Sequence, residues 1–505
     1  MLIPTVVDTH IRVDGNMIGH DLAGQIFDEL TILNPDWVEA KKRQQWDLEG
    51  IPKWIILGEL GTGTATNGDE VVMPRGYAKE YKLLLREHGH KVKWVDRRCW
   101  HRGPAFGFQD FNYRDHQPAA VKAIIKHQQG IYEAPTGSGK STVGCAVIWR
   151  TCPRKAHILV DKIELVHQWR RMLTQHAGCP EEMIGQIGQG KWDERRITIC
   201  TVQTLRKALK DGRIDRAWFA DVDLMILDEC HHVTAETLMD LVQWYRSRIR
   251  VGMSAAPDRQ DGKFDVALDV LGDVFYADAE DELREAGIIL APKVYRIQTG
   301  FTFPYWGDHT SDKHGNCDKP NCRIDYKHSH KNNYQALKTA LVRDRKRNLL
   351  VASCVLSQAK TGDHLHLIIS DEVRHLDEIQ MMLDGSRNGA IKLDCPPLYR
   401  LTGKMTKKQR AEALEGFSSS TNAILLSTVA KEGLDVPMID RIYLPFPGKQ
   451  PANTEQKIGR GTRAAAGKKD TFIFDFADVN VQVLSRQFRN RRYKVYDKLG
   501  LEVVL

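Results

Sequence analysis

The stretch "GIYEAPTGSGKST", residues 130–142, limits what this chain can fold into more than any other. An apolar run leads into glycines, then a Lys-Ser pair, then a long segment of helical spacing. That order demands a strand, a tight loop and a helix in succession. The glycines let the backbone wrap a polyphosphate, with amide N–H groups pointing inward at a helix N-terminus. Pro135, Thr136, Gly137, Ser138, Gly139, Lys140, Ser141 and Thr142 are the candidate ATP cradle. Lys140 would reach the β- and γ-phosphates, and the Ser141 hydroxyl would be a magnesium ligand. Ala134 stands where the general pattern has glycine.

The surroundings repeat the same logic. From about residue 128, apolar runs ("AHILVD", "RITICTV", "DLMILDE", "IRVGMSA") alternate with amphipathic segments such as "IELVHQWRRMLTQHA". Continuous apolar strands alternating with helices predict a parallel sheet covered on both faces. The pattern restarts near residue 365 with "LHLIIS", "LYRLTG", "AILLST", "DRIYLPF" and "DTFIFDF", which predicts a second lobe.

"LMILDECHHV", residues 224–233, offers five consecutive potential metal ligands. Neighbours at the end of a strand point to different sides, so the five cannot converge on one zinc ion. A phosphate-loop enzyme instead needs a carboxylate at a strand's C-terminal end for magnesium and a second one to activate water. Asp228 takes the first role and Glu229 the second, and Cys230 packs behind them.

These motifs, with others in order over residues 110 to about 480, resemble superfamily 2 helicases and translocases. "YRDHQPAAV" looks like the adenine segment, which implies that Gln117 reads the base edge with Tyr113 or Arg114 near the ring. "ILVDKIELVHQW" and "CTVQTL" stand in the places of motifs Ia and Ib, "DECHH" resembles the DExH box, which implies that His231 relays the state of the γ-phosphate, and "GMSAAPDRQDGK" is similar to motif III with Ala256 for the usual Thr. "LLSTVAKEGLDVP" resembles motif V, implying nucleotide and substrate sensing by Gly433 and Asp435. "QKIGRGTR" fits motif VI, so the resemblance implies Gln456 and the arginine fingers Arg460 and Arg463. The layout is similar to UvsW-type phage recombination helicases and the XPB-like group.

The implied fold is α/β: two tandem RecA-like P-loop domains with a small N-terminal α+β domain. The expected boundaries are 1–105 for the accessory domain, 106–297 for the first lobe, 298–335 for an insertion, 336–480 for the second lobe and 481–505 for a basic tail. In the first segment, "KWIILGEL" and "KVKWVDR" are expected strands and "GYAKEYKLLLREHG" a helix. It also holds Trp37, Trp46, Trp54, Trp94 and Trp100, expected as core more than as base-stacking platforms. In the tail, Arg489, Arg491 and Arg492 extend a phosphate-binding surface or form a solvated helix face. Within "HGNCDKPNCRIDYKHSH", His314, Cys317, Cys322, His328 and His330 offer two thiolates and imidazoles for a structural zinc; a hairpin insertion is the alternative.

The net charge of +8 suits a polyanionic partner, and ten cysteines in 505 residues do not make a disulfide framework. A start without a basic, apolar leader and the lack of an apolar run of about 18 residues point to a cytoplasmic protein, and the resemblance implies a bacterial or phage-infected cell. ATP and Mg2+ are the expected cofactors. DNA, branched or duplex and held through its phosphates, is the expected partner. An RNA helicase, a motor subunit of a restriction complex and an ATP-gated binding module are the rival readings.

Overall fold

The computed structural model of the chain describes residues 1–42, 52–61, 70–107, 111, 113–135, 137–233, 235–255, 263–288, 290, 292–303, 330–385, 395–403, 405–428, 436, 438–446, 468, 470–489, 494–498 and 501–504. Two compact units divide it at Met1–Asp281 and Glu282–Leu505.

In the first unit an eight-stranded sheet runs in the order Lys191–Asp193, Ile184–Gly188, Ile197–Thr201, Ala156–Val160, Leu224–Leu227, Ile249–Ser254, Gln129–Glu133 and Val274–Ala277. Every neighbouring pair is parallel except the first two strands. The central strands are buried along their whole length, as their unbroken apolar runs predict. Gln129–Glu133 and Ala156–Val160 follow each other in sequence but have two strands inserted between them in the sheet. Sequence order and spatial order part at that point, which in open α/β sheets opens a crevice beyond the strand ends.

The N-terminal segment forms its own five-stranded mixed sheet, ordered Glu59–Gly61, Glu70–Pro74, His10–Asp14, Leu2–Val7, Lys91–Asp96. The helix Ala78–Glu87 and the strand Lys91–Asp96 fall where the sequence puts them. The stretch 53–60 does not make one strand: Trp54–Ile56 pairs with Thr31–Leu33 and Glu59–Gly61 joins the larger sheet. Leu57 is buried between them, so the chain changes sheets to bury it.

This module is fused to the lobe that follows. Arg75 and Arg250 are both buried there and donate to backbone carbonyls, Arg75 to Ser247 O at 2.8 Å and Arg250 to Val270 O at 2.7 Å. A Cβ on Gly76 would sit 2.1 Å from Leu268 O, so only glycine permits this approach. One apolar cluster runs from Ile3 and Tyr81 in the module to Leu271 in the lobe.

The second unit holds seven parallel strands, ordered Leu398–Leu401, Ala423–Ser427, Leu365–Ile369, Ile439–Leu444, Phe472–Ala477, Lys293–Gln298, Val503–Val504. Two expected boundaries move. Lys293–Gln298 lies in this sheet, in register with Phe472–Ala477, and not in the first lobe. The segment after residue 480 is not a detached basic tail: Leu484, Phe488, Val495, Tyr496 and Leu501 are buried, and Tyr496 donates its hydroxyl to Asp475 at 2.7 Å. The apolar positions between the arginines dictate this packing. The insertion ligands Cys317, Cys322, His314, His328 and the His330 side chain lie outside the described residues. Among the described residues, no helix is long and apolar enough to cross a membrane.

Candidate active site

The loop after Gln129–Glu133 turns through Gly137 and Gly139, with φ of 92° and 93°. Side chains other than glycine's resist that conformation. Gly139 has a second reason: a Cβ there would lie 2.3 Å from Gln117 Nε2. Gln117 is buried and its amide is committed, donating to Ser138 O at 2.9 Å and accepting from Arg114 N at 3.0 Å. Arg114 donates to Gly137 O at 2.6 Å, and His116 Nε2 lies 3.1 Å from Ser138 O. Arg114, His116 and Gln117, in the expected adenine segment, therefore brace the glycine loop by its carbonyls. Tyr113 stacks 5.6 Å from Phe111, with the Arg150 guanidinium 5.8 Å from its ring.

Lys140 begins the helix Lys140–Thr151 and is buried. Its ammonium donates to Ala134 O at 3.1 Å and stands 3.9 Å from Glu229 Oε1. An ammonium has three donors, and burial makes each unmet one costly. The Ser138 hydroxyl is buried without a hydrogen-bond partner among the described residues. Ser141 follows Lys140 on the same helix, and Thr136 lies outside the described residues.

Across the sheet's crevice, Asp228 ends the strand Leu224–Leu227 and donates its amide to Leu159 O at 2.9 Å. The carboxylate is buried; Oδ2 accepts the Trp169 indole N–H at 2.7 Å and Oδ1 the Glu229 amide at 3.0 Å. Burial, then the Glu229 carboxylate, pushes the Asp228 pKa up to about 6, while Lys140 and the Trp169 bond pull it down. Glu229 itself has φ +47°, a left-handed conformation that costs a residue with a Cβ roughly 1–2 kcal/mol. This turn aims its carboxylate between Lys140 and His231, whose Nδ1 is 3.5 Å from Glu229 Oε2. His231 Nδ1 is also 3.0 Å from Ser254 Oγ, at the end of the strand Ile249–Ser254. Cys230 is buried behind, in space left by Gly252, where a Cβ would meet its sulfur at 3.0 Å. Asp228, Glu229, Cys230 and His231 thus have separate surroundings, and the His232 side chain falls outside the described residues.

A family profile described as "Type III restriction enzyme, res subunit" matches residues 110–259, and "Helicase conserved C-terminal domain" matches residues 345–465. The first spans the whole constellation above and the second the expected motifs V and VI. The chain belongs to superfamily 2 of the helicases and translocases. DNA 3'-5' translocase XPB2 of Sulfurisphaera tokodaii is 26% identical over 340 residues, which is 64% of this chain and 72% of that protein. The fragment structure of a putative HsdR subunit of a type I restriction enzyme from Vibrio vulnificus YJ016 has a TM-score of 0.53 at 18% identity, covering 76% of this chain and 66% of that one. The crystal structure of T4 UvsW has a TM-score of 0.42 at 16% identity, over 100% of this chain and 99% of that one.

As a superfamily 2 helicase the chain is an ATP-dependent enzyme, and its donor set fits the nucleotide. A buried ammonium, an orphaned hydroxyl and a carboxylate of raised pKa all gain from a polyphosphate with its divalent ion. Gly433, Asp435, Gln456, Arg460 and Arg463 lie outside the described residues. Two helicase residues in contact with the constellation escaped sequence reasoning. Trp169 is fully buried, and its ring occupies space that a Cβ on Gly144 would fill, 2.6 Å from Cη2. Gly144, mid-helix behind the phosphate loop, was the local signal for a bulky neighbour. His116 is the other, and nothing in its sequence context marks it.

Proposed function

We propose that this helicase is an ATP-driven DNA translocase that remodels branched DNA, by branch migration, fork regression and unwinding of displacement or RNA loops, in recombination, repair or replication. The observation that carries the motor reading is the set Lys140, Asp228, Glu229 and His231, held as a chain of contacts from the phosphate loop to Ser254. DNA is favoured over RNA by the similarity to a protein named as a DNA translocase. The N-terminal module offers the branch contact. Trp54 is exposed there, with Lys53 Nζ 5.0 Å from its ring, while Lys41 lies 4.9 Å from the Trp37 ring. An exposed aromatic beside ammonium groups suits a base next to its phosphates.

Lys140 and the loop amides hold the β- and γ-phosphates. Ser141 and Asp228 would hold magnesium, which would neutralise charge on the phosphate oxygens. Glu229 takes a proton from the attacking water as the bond to the γ-phosphorus breaks. His231 then reports the change to Ser254, with which it is in contact. Gln456, Arg460, Arg463, Gly433 and Asp435 keep their expected roles in the second lobe. Repetition of this cycle alternates the lobes' grip on a phosphate backbone. Such contacts carry little sequence information, so binding is structure-specific. The eight described cysteines are free thiols, which supports a cytoplasmic setting, and the phage-type origin stays part of this reading.

Strand separation and branch migration on defined forks, for wild type and Lys140→Ala, test the proposal. Fork-stimulated ATPase and ATP-dependent remodelling that vanish in the variant are expected. Stimulation by RNA alone would overturn the DNA assignment.

A further inference from the structure

Away from the ATP site, one cluster brings a thiol, an imidazole and a carboxylate together. Cys99 and His101 sit on the connector that leaves the N-terminal module. Asp223 precedes the strand Leu224–Leu227 of the first lobe. Cys99 Sγ is 3.6 Å from His101 Nδ1 and 3.4 Å from Asp223 Oδ1, and His101 Nδ1 is 3.1 Å from the same oxygen. Zinc bound at about 2.3 Å by sulfur and about 2.0–2.1 Å by nitrogen and oxygen, at tetrahedral angles, sets ligand-to-ligand edges of about 3.3–3.6 Å. The three separations fall close to that.

Hydrogen bonding alone accounts poorly for the same geometry. Asp223 Oδ1 also accepts the His101 amide at 2.7 Å, while Oδ2 takes the Lys155 amide at 2.8 Å. With the thiol and the imidazole both donating, Oδ1 would serve three donors on two lone pairs. If Nδ1 carries no proton, it faces Oδ1 as one acceptor against another. A cation removes the conflict, since Oδ1 then serves the metal and one amide. The carboxylate is fully buried, with Arg154 Nε 3.9 Å away. The His101 side chain is exposed, which leaves an entry path and a fourth position for water.

We propose that Cys99, His101 and Asp223 bind a zinc ion that staples the connector to the first lobe. Sulfur, imidazole and carboxylate together suit zinc rather than magnesium or calcium. The role is structural. Asp223 and Asp228 stand at opposite ends of one strand, about 17 Å apart at about 3.3 Å per residue, so the ion cannot touch the nucleotide. The connector is already held by backbone bonds, Cys99 N to Arg246 O at 2.7 Å and Arg154 N to His101 O at 2.9 Å. The metal would lock those pairs by side chains and fix the module's exit from the lobe.

The test uses the full chain, purified without chelator or metal-affinity tag. Zinc content is measured by plasma emission, and cobalt titration reports a thiolate-to-cobalt band in the near ultraviolet. One zinc per chain is expected, with the band, and Cys99→Ser loses both. His101→Ala, at an exposed side chain, binds at least about 10-fold more weakly. A double variant, Cys317→Ser with Cys322→Ser, keeps the metal. Chelator lowers the melting temperature of wild type and lowers that of His101→Ala by less. Absence of metal and of the cobalt band in wild type overturns the site, as does metal lost only in the double variant. Should Cys99→Ser fail to fold, His101→Ala decides.

Discussion

The two parallel sheets bury charge in opposite ways. In the second lobe, buried charges are matched to one another. Arg347 donates from Nε to Asp478 Oδ1 at 2.7 Å and from Nη2 to Oδ2 at 3.1 Å, and both residues are buried. His375, equally buried, spans Ser370 Oγ at 3.1 Å and Asn348 Oδ1 at 3.1 Å. In the first lobe the charges at the strand ends are left short: Lys140 has one carbonyl and a distant carboxylate, and two adjacent carboxylates face each other's repulsion. The Arg347–Asp478 pair fixes the fold around it, and so does Arg250 in the first sheet; Lys140 and Asp228, at the first sheet's strand ends, are suited to a ligand that completes them.

Removing one partner tells these uses apart. Asp478→Ala strands a buried guanidinium, and breaking such a pair costs about 3–5 kcal/mol. Urea unfolding should show that loss, while the folded fraction keeps its ATP affinity. Lys140→Ala removes a cation held by one carbonyl and a carboxylate 3.9 Å away, so its melting temperature should fall by less than that of Asp478→Ala. Phosphate release should fall about 10²–10³-fold, the range seen when one preorganised donor to transition-state charge is lost. Equal destabilisation of both variants would erase the contrast.

The Asp228→Asn variant sharpens it through pH. Because the folded pKa of Asp228 is raised from 3.8 to about 6, the native state holds a proton that the unfolded state has released across that window. Stability therefore falls as pH rises from 4 to 6, and above 6 the full penalty of a buried charge is present. Asn carries no such charge. The nucleotide-free variant should melt above wild type at pH 7–8, and the gap should close as pH drops toward 4. Magnesium and nucleotide should reverse the order at neutral pH, because only the carboxylate gains from them.

How far the sequence disclosed these features follows from the range of the interactions. Lys140, Gly139 and Asp228 were legible because a loop, a glycine and a strand end each carry a local signature. Both sheets were legible from period alone. The strand Lys293–Gln298 was assigned to the wrong lobe, since its partner lies far along the chain at Phe472–Ala477. Arg250 donating to Thr9 O at 3.4 Å, and Cys99 against Asp223, join residues more than a hundred positions apart, beyond any spacing rule. Gln117 was expected to read a base edge; its side chain donates to Ser138 O, a contact visible only once the loop is folded.

Trp169 gives the smallest expected effect and the finest test of how the first lobe manages unpaired charge. Its indole, like Lys140, restrains the Asp228 pKa. Trp169→Phe keeps an aromatic ring against Gly144 and deletes a single N–H, a bond to a charged group worth about 1.5–3 kcal/mol. Without it the Asp228 pKa climbs beyond about 6, the proton competes better with the metal, and the acid limb of the ATPase pH profile moves to higher pH. Half-maximal activity should need roughly 10-fold more magnesium at pH 7, with less at pH 8, because alkaline conditions restore the carboxylate. A packing role alone would lower activity equally at every pH. A parallel drop across the profile, with the magnesium requirement unmoved, would make Trp169 core and leave Asp228 positioned by the backbone.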